Sequence, residues 1–150
     1  MPSVADVLQN KGSVVIHAIA PGASVLEAIN KMNQHKLGAL LVTEDGTESS
    51  RVVGMFTERD VLRRVVGDMR NPAETKVAEV MTGEVICCPP TTDIDEVSAI
   101  MQQRRIRHVP VCDDEGKLYG LISIGDVNAY HVLHQEAQIT FLNEYIYGRA

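Results

Sequence analysis

The sequence predicts a mixed α/β (α+β) protein of two tandem β-α-β-β-α repeats, packed as one pseudo-two-fold globule and followed by an extended C-terminal helix. Three observations carry that prediction. First, the octapeptide GMFTERDV at 54–61 returns as GLISIGDV at 120–127. Second, Pro21 and Pro90, Val25 and Ile94, Glu27 and Glu96, Met32 and Met101, and Val42 and Val111 all pair at a single offset of 69. Third, the offset drops to 66 only across the loop TEDGTESSR, where the first repeat holds three extra residues. Offsets that change only in loops are what a duplicated fold produces.

Each repeat lays out the same elements. VADVL at 4–8 and VAEVM at 77–81 place apolar residues at i, i+3 and i+4, a short amphipathic turn. VVIHAI and EVICC read as brief strands, stopped by Pro21 and by Pro89-Pro90. Helices follow, with apolar faces at Val25, Ala28, Ile29 and Met32 and at Ile94, Val97, Ile100 and Met101. Two strands come next, GALLV and VVGMF in the first repeat and RHVPV and KLYGLI in the second, joined through Asp45-Gly46 and Glu115-Gly116. A second helix opens at Thr57 and at Ser123.

The repeats occupy 3–68 and 77–130, with a polar linker over 69–76 and a helical extension over 131–150. Units near 60 residues are marginal alone, so the two are expected to pack together. The last helix carries Tyr130, Leu133, Ala137, Phe141, Leu142, Tyr145 and Ile146 before Gly148 stops it. That is more apolar surface than one small unit can cover, and it points to a second subunit.

Composition bounds the function. The chain has 150 residues, 45% hydrophobic and 23% charged, no Trp, and a net charge of −6. Such a balance argues against broad nucleic-acid or anionic-membrane binding. No apolar run approaches a membrane span, and MPSVADVLQN lacks a secretion signal, so a cytoplasmic location is expected. Cys87, Cys88 and Cys112 form no C-x-x-C and are read as buried small apolar residues in a reducing cytosol. His131 and His134 lack further ligands at metal spacing, so no metal is expected. G-x-S-x-G, H-E-x-x-H, Walker A and G-x-G-x-x-G are all missing, and the expectation is a protein that is not an enzyme.

T-E-R-D and S-I-G-D admit two readings. Both fit the [ST]-x-x-[DE] capping box of a helix start. The same geometry also suits a ribose phosphate: free N–H groups and a hydroxyl for phosphate, and an Asp for vicinal hydroxyls. Arg104 and Arg105 are expected to end a helix, Arg107 and His108 to open a strand, and Arg63 and Arg64 to lie on a solvated face.

The duplicated V-x-x-[VL]-[LM], the R-H-V-P-V at 107–111 and the two G-h-h-[ST]-x-x-D motifs together resemble a tandem pair of CBS domains, the cystathionine-β-synthase-type or Bateman module, of a stand-alone bacterial kind. The resemblance covers about residues 3–130. It implies clefts between the repeats that bind AMP, ADP or ATP, with NAD or S-adenosylmethionine as alternatives, and it implies a homodimer read by a downstream protein. Carried onto this chain, Asp60 and Asp126 would hold ribose, and Thr57 and Ser123 would touch phosphate. Adenine would lie against Gly38, Ala39, Leu40, Leu41, Val109 and Pro110, with Ile16, His17, Ala18, Val85, Ile86 and Cys87 contributing. The clefts are unequal: Arg107 and His108 stand where the first repeat has Gly38 and Ala39, and Arg59 stands where the second has Gly125. The Asp60 cleft, drawing on Thr57, Arg59, Arg107 and His108, is expected to hold phosphate more tightly. The rival expectations are a ligand-free scaffold and, less supported, a small nucleotide-acting enzyme.

Overall fold

The structure is a computed structural model and describes residues 2–10 and 16–146, with side chains through 143. Its elements run α1 (Val4–Asn10), β1 (Ala18–Ile19), α2 (Val25–His35), β2 (Ala39–Thr43), β3 (Val52–Thr57) and α3 (Glu58–Asp60). A π-helical turn, Val61–Val66, continues α3. The second repeat supplies α4 (Val77–Val80), α5 (Ile94–Arg104), β4 (His108–Cys112), β5 (Leu118–Ser123) and α6 (Ile124–Ile146). Gly148, the expected stop of α6, lies outside the described residues, as do residues 14 and 15 of the first expected strand.

The first sheet orders its strands β1-β2-β3, with β1 parallel and β3 antiparallel to β2; the second contains β4 and β5, antiparallel. Gly46 and Gly116 take φ of 84° and 80° in the turns between these antiparallel strands, a region open to glycine and strained for other residues. Strand alternation sorts the side chains. Leu40, Val42 and Phe56 face α2 within the first core. Ala39, Leu41 and Met55 face the other way and pack with Ala18 against Val85, Leu118 and Leu121 of the second repeat.

The expected strand EVICC shrinks to a single bridge, Cys88 to Val111. Pro110 is the reason. In the first repeat Leu41 N–H donates to the His17 carbonyl at 3.3 Å. Pro110 occupies the matching place, 69 residues on, and has no N–H to give Ile86. The ladder ends after Cys112 N–H donates to the Cys88 carbonyl at 3.0 Å.

The opening helices cross between repeats. Val4 and Leu8 of α1 are buried with Ile94, Val97, Val109 and Ile122 of the second repeat. Val77 and Val80 of α4 are buried with Val25, Phe56 and Val65 of the first. Backbone bonds pin both crossings: Val4 N–H to the Thr92 carbonyl at 2.8 Å, and Val77 N–H to the Ala23 carbonyl at 2.9 Å. The linker is likewise held, with Thr75 buried and its carbonyl accepting from Val25 N–H at 2.8 Å.

Beyond Tyr130, which still packs against the second core, α6 leaves it. Val132, Leu133, Ile139, Phe141 and Leu142 are all exposed, Leu133 at 66%. No helix among the described residues is long and apolar enough to cross a membrane.

Candidate functional site

Both copies of the octapeptide form the cap that their pattern predicts. Thr57 ends β3 in extended geometry; its Oγ1 accepts from Asp60 N–H at 3.3 Å, and Asp60 Oδ2 accepts from Thr57 N–H at 3.0 Å. Ser123 and Asp126 repeat this at 3.2 and 2.8 Å. Glu58 N–H then donates to the Gly38 carbonyl at 3.1 Å, and Ile124 N–H to the Arg107 carbonyl at 2.8 Å. Each helix start is therefore tied to the residue just before the antiparallel partner strand, β2 or β4. Ser3 and Asp6 make the same reciprocal pair at the start of α1, where the Ser3 backbone N–H and then its hydroxyl hold the Asp6 carboxyl below its ordinary value. The pattern alone thus marks a helix start; its surroundings must supply any further role.

Those surroundings differ. Asp60 is 5% exposed, whereas Asp126 is only partly buried. Asp60 Oδ2 also accepts from Thr57 Oγ1 at 3.3 Å, while Oδ1 accepts from Thr82 Oγ1 at 3.3 Å and lies 3.9 Å from Arg64 Nε. Arg59 reaches across the repeats: its guanidinium donates to the Arg105 carbonyl at 3.2 Å. Arg105 is the left-handed C-cap of α5, two residues before the exposed Arg107. Arg59, which lies between Thr57 and Asp60 in the chain, therefore links this cap to the basic RRIRH segment. His108 is placed beside the other cap, in register with Ser123.

The expected adenine contacts divide between two faces of their strands. Leu40 and Val109 point into the first and second cores, because alternation turns every second residue away from the facing repeat. Ala39, Leu41 and the buried Pro110 lie on the opposite faces; Leu41 packs with Val85 and Ile16, and Pro110 pairs with Leu121. Ala18 is buried there too, its carbonyl accepting from Lys31 Nζ at 2.6 Å. His17 stacks on His35 with ring centroids 4.0 Å apart, and burial, then the His35 charge, lowers its pKa. Ile86 is half-buried.

Cys87 is exposed rather than buried and opens onto a cavity of about 350 Å³ at the far end of β4, with Arg51, Cys112 and Asp113. Cys88 and Cys112 are buried as expected. Burial, followed by the Cys87 hydrogen bond, pushes the Cys112 thiol up to about 12, and burial also raises Cys88.

Two residues at the Asp60 cap escape sequence reasoning. Arg64 is not simply solvated: its Nη1 donates to the Val80 carbonyl at 3.2 Å and the Met81 carbonyl at 2.9 Å, capping α4. Its position four residues after Asp60 was the available signal. Thr82 carried no such signal, since its nearness to Asp60 depends on the crossing of α4.

A paired, interleaved fold with two helix starts capped in the same way defines a tandem two-repeat architecture, and comparison with known proteins gives it a family. The CBS domain profile matches residues 4–67 and 77–132, and the chain belongs to the CBS-domain family. A solved CBS-domain structure from Burkholderia ambifaria MC40-6, described as a candidate signal-transduction protein, is 37% identical with a TM-score of 0.79, covering 89% of this chain and 96% of that one. A CBS-domain structure from Agrobacterium tumefaciens is 38% identical with a TM-score of 0.75, covering 85% and 91%. The mitochondrial CBS domain-containing protein CBSX3 of Arabidopsis thaliana is 35% identical over 97% of this chain and 72% of its own length.

Proposed function

We propose that this protein is a regulatory module that binds an adenosine nucleotide of the AMP, ADP or ATP type and passes the occupied state on, through its own dimer or to a downstream protein. It is a binding protein in this reading, not an enzyme. The observation that carries the reading is the Thr57–Asp60 cap at the meeting of the repeats, with Arg59 bonded to Arg105 at 3.2 Å. A helix start, a hydroxyl, a carboxylate and guanidinium groups then share one place, and together they match the donors and acceptors of a ribose phosphate. Ser123 and Asp126 supply a second site, whose helix start carries Gly125 where the first carries Arg59. The exposed apolar side chains of α6 support association of two copies.

Ligand binding shifts the module only as far as it favours one arrangement over another. Calorimetric titration with AMP tests the assignment. Asp60→Ala is expected to weaken the tighter binding event and Asp126→Ala the weaker one; equal losses in both would remove the proposed inequality. Across AMP, ADP, ATP, NAD and S-adenosylmethionine, a ligand present at about 100 times its Kd stabilises by about 2.7 kcal/mol. For a chain of this length that raises Tm by roughly 5–10 °C. No shift from any of the five at millimolar concentration favours the ligand-free scaffold instead.

A further inference from the structure

The Asp60 carboxylate uses its two oxygens differently. Oδ2 is committed to the cap, accepting from Thr57 N–H at 3.0 Å and Thr57 Oγ1 at 3.3 Å. Oδ1 faces out of the cap and accepts from the Thr82 hydroxyl at 3.3 Å. On the reading of Asp60 as a ribose-binding carboxylate, Oδ1 is the oxygen left for a ligand hydroxyl. Thr82 stands in that place.

The backbone that carries Thr82 cannot withdraw easily. Met55 N–H donates to the Thr82 carbonyl, and Thr82 N–H to the Met55 carbonyl, both at 2.9 Å. Arg64 holds the carbonyls of Val80 and Met81 just before it. The segment lies so close to this strand, β3, that a Cβ at Gly54 would sit 3.0 Å from the Thr82 carbonyl oxygen. What can move is the side chain, by rotation between a few staggered χ1 positions.

We infer that the Thr82 hydroxyl is an internal competitor for the Asp60 site, occupying the ligand's hydrogen-bonding position until a nucleotide displaces it. This inference rests on the proposed nucleotide reading and adds a regulatory contact to it. The contact raises the ligand concentration at which the site fills: if the bonded rotamer holds about nine-tenths of the population, the apparent Kd rises about tenfold. The competitor belongs to the segment that follows α4, the helix that crosses into the first core. Filling the site therefore releases a side chain on the opening segment of the second repeat.

Titration of AMP into the full chain tests this. Thr82→Val keeps the β-branched shape and the backbone bonds while removing the hydroxyl, and it is expected to bind AMP about tenfold more tightly. Thr82→Ala should do the same, which covers poor folding of the valine variant. Thr82→Ser retains the hydroxyl and should match the wild type. In an Asp60→Ala background Thr82→Val should change nothing. If Asp60→Ala weakens AMP binding while Thr82→Val and Thr82→Ala leave it unchanged or weaker, the competitor is overturned and the nucleotide reading stands. If Asp60→Ala leaves the AMP titration unaltered, both are overturned.

Discussion

Adding one methyl group at Gly54 tests how the repeats are interleaved. Gly54 and Gly120 open the two octapeptides, and each faces the opening helix supplied by the other repeat. A Cβ at Gly54 would lie 2.6 Å from Met81 Sδ and 3.0 Å from the Thr82 carbonyl oxygen. Met81 can move, being a flexible thioether. The carbonyl cannot, because it accepts from Met55 N–H at 2.9 Å. A Cβ at Gly120 meets only Leu8, with Cδ1 at 2.8 Å, the free end of a side chain. Overpacking of the first kind costs about 1–3 kcal/mol. Replacing Gly by Ala returns about 0.4–1 kcal/mol by restricting the unfolded chain. Gly54→Ala should therefore destabilise by about 1–2 kcal/mol, or roughly 2–8 °C in Tm for a chain of this size. Gly120→Ala should lose less than about 1 kcal/mol. Urea unfolding followed by circular dichroism measures both. Leu8→Ala should cost less in the Gly120→Ala background than alone, since the two sites share one contact. A Gly54→Ala protein as stable as Gly120→Ala, or strict additivity of Leu8 and Gly120, would refute the crossed packing.

The stacked pair His17 and His35 predicts a pH response. The folded state lowers His17 below its usual 6.5, chiefly by burial and then by His35. Above that value the ring is neutral in both states; as pH falls below it, the unfolded chain takes up the proton first and stability declines. Tm measured from pH 7.5 to 5.5 should fall less in His17→Phe than in the wild type, and parallel profiles would count against the pair. On α6, Leu133 and Phe141 are 66% and 67% exposed. Burial in a dimer is worth about 2 kcal/mol for each such side chain, so Leu133→Glu and Phe141→Glu should each weaken dimerisation more than tenfold in sedimentation equilibrium. A wild-type chain that sediments as a monomer at all concentrations would end that reading.

Much of the architecture was legible because it is written twice. Period-two alternation in GALLV and RHVPV, glycines in the turns, and the hydroxyl-to-Asp caps each carry a local physical signal, and β2 to β5, α3 and α6 follow from them, while α2, α4 and α5 follow from apolar residues at helical spacing. The loss of the EVICC strand was also legible in principle, since Pro110 removes the one N–H the ladder needed. The crossing of α1 and α4 was not. Three apolar residues at i, i+3 and i+4 say that a turn is buried on one side but not whose sheet it covers. Everything that depends on the crossing was hidden with it: Thr82 on Asp60, Arg64 on the carbonyls of α4, and the reason for Gly54. The orientation of Leu40 and Val109 could have been read from alternation, but treating each strand as one apolar patch blurred the two faces.

The exchanged helices also set an order of assembly during synthesis. The first core needs nothing beyond Met81 of the sequence and closes as soon as α4 is available. Helix α1 precedes it in the chain yet has no core to join until Ile94, Val109 and Ile122 exist, some ninety to 120 residues later. A seven-residue helix is too short to persist by itself in water. Its apolar residues therefore wait, unprotected, through most of translation, and the second half is completed by the oldest part of the chain.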